Sequence, residues 1–279
     1  MRALGVFTTI LIVIFLTGTI FAHGEEHDEH ATVWEKLKIP DPLEILYIAS
    51  FVSGLAIVIA LMTKHKLSEF GQKTIFAFIV IPIALATVYL SGTTVYLNMI
   101  SKTGGPVHWH ADYEIWACGS RYELIDPTGW DNKIGSPLFH EHNDNRMHIE
   151  GVVFDHAEVN LKRFFYESGS KLAMNELTMR TTESLKTWKN GEMCDSERAV
   201  LQVFLYKVVN PEKTGARTFR QEKLTDFENY VVSPYSLVPP GDCLIIEFGK
   251  EKTKTDKICE TYEIAIEKGE LIEEGKNGS

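Results

Sequence analysis

Hydrophobic positions along this chain follow two regimes. Three long apolar runs occupy the first hundred residues; beyond them, short stretches of alternating apolar and polar residues are punctuated by Gly, Pro, Asn and Asp. The first run, Ala3 to Phe21, follows Met1-Arg2 and ends at Ala22 before a polar segment. A basic start, an apolar stretch and a small residue ahead of polar sequence predict a signal peptide over 1–22. Ile20, standing where a small residue is usual, leaves an uncleaved signal anchor as the alternative. The second run, Leu43 to Met62, and the third, Thr74 to Leu97, are each long enough to cross a hydrocarbon layer about 30 Å thick. The third carries no charge and one proline, Pro82. These runs predict a transmembrane helical hairpin over 43–100.

After the turn-rich connector Ser101–Pro106 the period changes. Val107 to Ala117 alternates as a strand does, and Gly119-Ser120 turns it into a second strand, Arg121 to Ile125. Residues 126–137 are rich in Gly, Pro and Asp and read as loop. Leu138 to His142 and Met147 to Phe154 predict a hairpin around Asn143–Arg146. A helix is expected from His156 or Ala157 to Glu167, capped by Asp155 and ended by Gly169. Strands follow at Glu176–Thr182, Leu185–Lys189 and Val200–Val209. A short turn or helix is then expected at Lys223–Phe227, a short strand at Tyr230–Val232, and strands at Cys243–Phe248 and Lys257–Ile266. The fold class expected is α+β, with an outer β-rich domain over 101–267 whose order of elements resembles a β-grasp arrangement. Residues 268–279 read as a flexible tail.

Charge then fixes orientation. The link between the two long apolar runs, 63–73, carries three lysines against one glutamate, which predicts that it is cytoplasmic. The acidic, His-rich segment at the start of 23–42 and the domain after Leu97 then lie outside the cell membrane, with nine of the ten histidines; His65 stays inside. A formal net charge of −10 argues against nucleic acid as a partner. All four cysteines fall in the outer domain, and an even count in an oxidising compartment predicts disulfides. Cys243 and Cys259 flank what reads as one hairpin, which favours that pair and leaves Cys118 with Cys194. No C-x-x-C is present, so exchange chemistry is not expected.

Candidate chemistry lies in five histidines, His108 and His110, His140 and His142, and His148. Residues i and i+2 of a strand share a face, so each His-x-His pair can aim two imidazoles at one point. Neutral imidazole is the commonest ligand of zinc, copper, nickel and non-haem iron. Convergence depends on the hairpin: an odd loop such as 144–146 would set His142 opposite His148 and His140 opposite Glu150, whereas an even loop would split the cluster across two faces. Asp112 shares the parity of His108 and His110 and, with Glu150, is a candidate to orient the imidazoles. His23, His27 and His30 form a candidate auxiliary metal-collecting segment.

The runs HWHADYEIWACG, HEHNDNRMHIEGVV and YSLVPPGDCLIIEFG resemble a group of membrane-anchored or secreted proteins from archaea and small-genome bacteria. That group shares an H-x-H-A-D-[FY] strand, a later H-x-H…H hairpin and a G-D-x-I-x-I ending, over roughly residues 105–250 here. No reaction is assigned to it. Some of its members are labelled protein-disulfide isomerase, an activity that the lack of C-x-x-C sets aside in this chain. Cleavage after Ala22 would expose His23-Gly-Glu, similar to the start of the copper subunit of particulate methane and ammonia monooxygenases. There an N-terminal histidine and an H-x-H pair hold copper; here two helices separate His23 from His108, and no cupredoxin signature is present.

The expected function is capture, buffering or hand-over of a copper or zinc ion by a membrane-anchored protein, with the membrane, the ion and a membrane-protein acceptor as partners. A metal-dependent oxidoreductase or hydrolase at the same histidines is one alternative. A disulfide-stapled recognition or assembly module with structural histidines is the other.

Overall fold

The computed structural model describes residues 33–63, 66–130, 132–232 and 240–275. The signal segment and His23, His27, His30 and His65 lie outside the described residues. The chain divides into two compact units between Leu90 and Ser91. In the first unit a short helix, α1 (Val33–Leu37), precedes α2 (Pro42–Met62), and α3 (Glu69–Ile100) runs on into the second unit. Asp41 caps α2 by accepting from Leu43 N at 2.7 Å, with Pro42 at the first helical position, where its missing N–H costs nothing. Helices α2 and α3 are long and apolar enough to cross a membrane, and their large side chains are mostly exposed. Their few buried residues are small: Ala49, Ser53 and Ala56 on α2 and Ala86 on α3. Small residues spaced i, i+4, i+7 let two backbones approach without a hydrophobic driving force. Ser53 Oγ donates to Ile79 O at 3.1 Å, and Tyr89 Oη to Pro40 O at 2.6 Å.

The second unit is built on one nine-stranded sheet. Its strands are β1 (Pro106–Ala117), β2 (Ser120–Tyr122), β3 (Ile134–Gly135), β4 (Phe139–Glu141), β5 (Arg146–Val152), β11 (Val200–Val208), β12 (Arg217–Leu224), β13 (Asp242–Gly249) and β14 (Leu271–Glu273). A separate three-stranded sheet holds β6 (Lys171–Ala173), β7 (Glu176–Arg180) and β8 (Leu185–Lys189), and β9 (Met193–Cys194) pairs β10 (Glu197–Arg198). The main sheet runs β14-β12-β11-β13-β1-β5-β4-β3, with β2 also on β1. At its centre β1 and β13 are parallel. Every residue of β13 is buried, as a strand covered on both faces requires.

Strand parity decides the two faces. Trp109, Ala111, Tyr113 and Ile115 of β1, Met147 and Ile149 of β5, and Leu201, Val203 and Leu205 of β11 pack on one side. They meet helix α4 (Leu161–Glu167), through Phe164 and Phe165, and the small sheet through Leu172, Leu177 and Met179. The opposite face carries Phe204, Tyr206, Phe219, Cys243 and Ile245, which pack against Tyr262 and Ala265 of helix α5 (Glu260–Glu267). The buried strand residues of that second core come from β11, β12, β13 and β14, with Trp116 of β1 packed against them. Over β1, β5 and β4 the same face carries histidines and charges instead.

Several sequence expectations change. The strand expected at 257–266 is α5: Tyr262 and Ala265 are three apart and bury together under β13, and Cys259 sits at the helix N-cap. The helix expected from 156 to 167 breaks at Asn160. A 3-10 turn, His156–Val159, closes in a capping box between Asp155 and Glu158, and Asn160 then caps α4 by accepting from Arg163 N at 2.8 Å. Tyr230–Val232 supplies only an isolated bridge to Asn160. Lys223, expected in a turn, lies in β12, and part of the expected tail is β14, whose Leu271 is buried. Cys118 is joined to Cys194 and Cys243 to Cys259.

Candidate metal centre

Register brings the histidines to one face. His110 on β1 stands opposite His148 on β5, which in turn stands opposite His140 on β4; His108 faces Glu150. One cross-strand row therefore reads His110, His148, His140. The hairpin has the odd parity that keeps these residues on a common face, but its pairing is shifted by two residues from the expected one: His140, not His142, lies opposite His148. The loop explains the shift. Asn143 and Asn145 both adopt positive φ (64° and 55°), a conformation asparagine tolerates better than most residues. The buried carboxylate of Glu141 binds the loop, accepting from Asp144 N at 2.9 Å.

The five imidazoles make two overlapping groups. Ligand atoms of His108, His110 and His148 all lie within 4.8 Å of one another, and so do those of His140, His142 and His148; either group could hold a metal ion. Ring centroids are 4.5 Å apart for His108–His110, 4.6 Å for His110–His148 and 4.8 Å for both His140–His142 and His142–His148. Tetrahedral ligands at 2.0–2.1 Å from one ion are about 3.3–3.5 Å apart, so modest side-chain rotations would close either group.

His140 is the unusual member. Its side chain is 0% exposed, and neither ring nitrogen has a hydrogen-bond partner. Glu150 Oε2, at 3.9 Å from Nε2, is beyond hydrogen-bond reach. Buried polar atoms are nearly always paired, and each unpaired one costs about 1–3 kcal/mol. Strand β3 produces this burial: Gly135 pairs with His140, and a Cβ at Gly135 would lie 2.8 Å from His140 Cα and 2.5 Å from Phe139 O.

The rings of His108, His142 and His148 each have one nitrogen engaged. His142 Nδ1 lies 2.6 Å from Asn132 O, which makes it the protonated nitrogen and leaves Nε2 as the ligand atom. His148 Nε2 donates to Asp144 Oδ2 at 3.0 Å, leaving Nδ1. Glu150 Oε1 contacts His108 Nε2 at 3.1 Å. Asp112 does not contact the imidazoles as expected: Arg146 Nε donates to its Oδ1 at 2.6 Å and Thr261 Oγ1 to its Oδ2. Asn132, Gly135 and Asp144 complete the site. They sit in a Gly/Asn/Asp-rich stretch that reads as loop, so only their pairing partners disclose their roles.

Burial and neighbouring positive charge disfavour the charged form of His140 and His110. Burial, then the charge of Lys133, pushes His140 down to about 4, and burial followed by His148 and His108 lowers His110. A base whose folded value lies below its unfolded value, near 6.5, makes folding more favourable as pH rises. His140's contribution is complete above about 6.5 and is lost as pH falls toward 4, at up to about 1.4 kcal/mol per pH unit. Metal-free protein should therefore show a thermal midpoint that drops across this window, measured by circular dichroism, and His140→Leu should flatten the drop.

Searches of protein-family models, curated proteins and solved structures find no match to this chain.

Proposed function

We propose that this protein is a membrane-anchored, extracytoplasmic metal-binding module that captures, buffers or hands over a copper or zinc ion. The observation that carries the reading is His140, wholly buried with both ring nitrogens lacking hydrogen-bond partners, set beside two imidazoles at ligand spacing. An all-nitrogen set suits Cu2+ or Zn2+. The basic link at 63–73 and the two disulfides support the outer placement of the domain, and helices α2 and α3 support the anchor. We read the domain as β-grasp-like, on the strand order β5-β1-β13-β11-β12 with β1 and β13 parallel. The resemblance of its H-x-H strand and hairpin to the membrane-anchored archaeal and bacterial group fits the same reading.

A pocket beside His110, lined by Asp112, Arg146, Thr261 and Lys268, favours as a second reading a metal-dependent enzyme working at the same histidines. The deciding experiment is equilibrium dialysis of the full chain in detergent against Zn2+ and, separately, Cu2+, followed by elemental analysis. One tightly held ion is expected, with binding weakened in His140→Ala and His142→Ala and unchanged in His156→Ala. Wild-type protein that retains no ion would refute the reading.

A further inference from the structure

Five imidazoles spread over three strands do not form one coordination sphere. His108 and His110 stand on β1, His140 and His142 on or just beyond β4, and β5 lies between them. Ligand atoms of His108, His110 and His148 form one close group and those of His140, His142 and His148 another, and among the described residues no such group takes in all five. His148, on the middle strand, is the one residue common to both groups. Exposure falls steeply from β1 to β4: the side chain of His108 is 61% exposed, that of His148 12% and that of His140 0%.

We propose that these are two successive positions for one ion: an outer entry position formed by His108, His110 and His148, and an inner holding position formed by His140, His142 and His148. This rests on the metal-binding reading above. His148 is the pivot, and its hydrogen bonding makes the two positions mutually exclusive. With Nε2–H donated to Asp144, His148 presents Nδ1 alone, and one nitrogen lone pair holds one ion at a time. Movement inward is an exchange of ligands. Bonds from the ion to the outer nitrogens of His108 and His110 break as bonds to His140 and His142 form, while the bond to His148 persists. The ion keeps its oxidation state, and lone pairs of the incoming nitrogens replace those of the outgoing ones. Glu150 faces both positions, with one oxygen 3.1 Å from His108 Nε2 and the other 3.9 Å from His140 Nε2, so a negative charge accompanies the cation along the path. The inner position gains from satisfying His140, whose nitrogens the fold otherwise leaves without partners.

Rate and equilibrium separate the two roles. The full chain in detergent is mixed by stopped flow with Zn2+ carried on a chromophoric chelator, and its final affinity and stoichiometry are measured by competition. One ion per chain is expected at saturating Zn2+. His108→Ala, at an exposed position, should slow loading about tenfold and change the final affinity little. His142→Ala should weaken the final affinity about 10–100-fold while the fast capture phase persists. His140→Gln gives a second inner variant close to the original in volume. Two ions per chain at saturation, or equal effects of His108→Ala and His142→Ala on both rate and affinity, would overturn the relay and leave metal binding itself standing. Wild-type protein that binds no Zn2+ and no Cu2+ would remove both.

Discussion

His140→Leu is expected to move function and stability in opposite directions. Metal binding should weaken about 10–100-fold, because the inner group loses the ligand most enclosed by the fold while the outer histidines remain. The metal-free protein should become more stable, by about 1–3 kcal/mol, since an apolar side chain replaces a buried ring whose two nitrogens have no hydrogen-bond partner. Leucine is close to histidine in volume. A shift of that size raises the midpoint of a domain of this size by a few degrees. Buried polar residues kept at a cost to stability mark functional sites. The measurement is a pair of thermal melts with and without Zn2+. The ion should raise the midpoint of the wild type and raise that of His140→Leu much less. A variant less stable than metal-free wild type would mean that His140 makes stabilising contacts and is a structural residue.

What the sequence discloses about this site is parity, and what it conceals is register. Alternation in HWHADYEIWA is strong enough to put His108 and His110 on one face and Trp109 and Tyr113 on the other, and the structure keeps that division. The hairpin pairing slips by two residues because Asn143, Asn145 and the buried Glu141 build the turn, and turn geometry is not carried by hydrophobic pattern. The helical hairpin was legible because long uncharged runs have few alternative readings. Residues 257–266 were not: Tyr262, Ile264 and Ile266 alternate as a strand would, while Tyr262 and Ala265 satisfy a helix, and packing under β13 decides for the helix. Strand β12 shows no hydrophobic alternation, since RTFRQEKL offers only Phe219 and Leu224 to the cores and backbone pairing with β11 and β14 defines it. Leu271 in β14 is likewise a single buried anchor in a charged stretch. Elements with one buried side chain take their structure from neighbours that sequence periodicity does not reveal.

Gly135→Ala is expected to damage the site as severely as removal of a histidine, although Gly135 is no ligand. Its φ of +121° lies where side chains are rarely accommodated, a strain of about 1–3 kcal/mol. The added Cβ would also meet backbone, at 2.5 Å from Phe139 O and 2.8 Å from His140 Cα, and backbone atoms in a paired strand cannot rotate aside. The least costly response is for β3 to lift from β4. That movement exposes His140 to water and loosens the 132–135 segment, whose Asn132 O holds His142 Nδ1. Two of the inner ligands thus lose orientation together, while His108, His110 and the β1–β5 pairing are untouched. The variant should retain the overall circular dichroism signature of the domain, lose about 10–100-fold in Zn2+ affinity, and keep rapid capture at the outer histidines. Hydrogen exchange followed by mass spectrometry should show faster exchange confined to residues 134–141. Unchanged affinity in a folded Gly135→Ala protein would separate β3 from the metal centre and place the binding determinants on β1 and β5 alone.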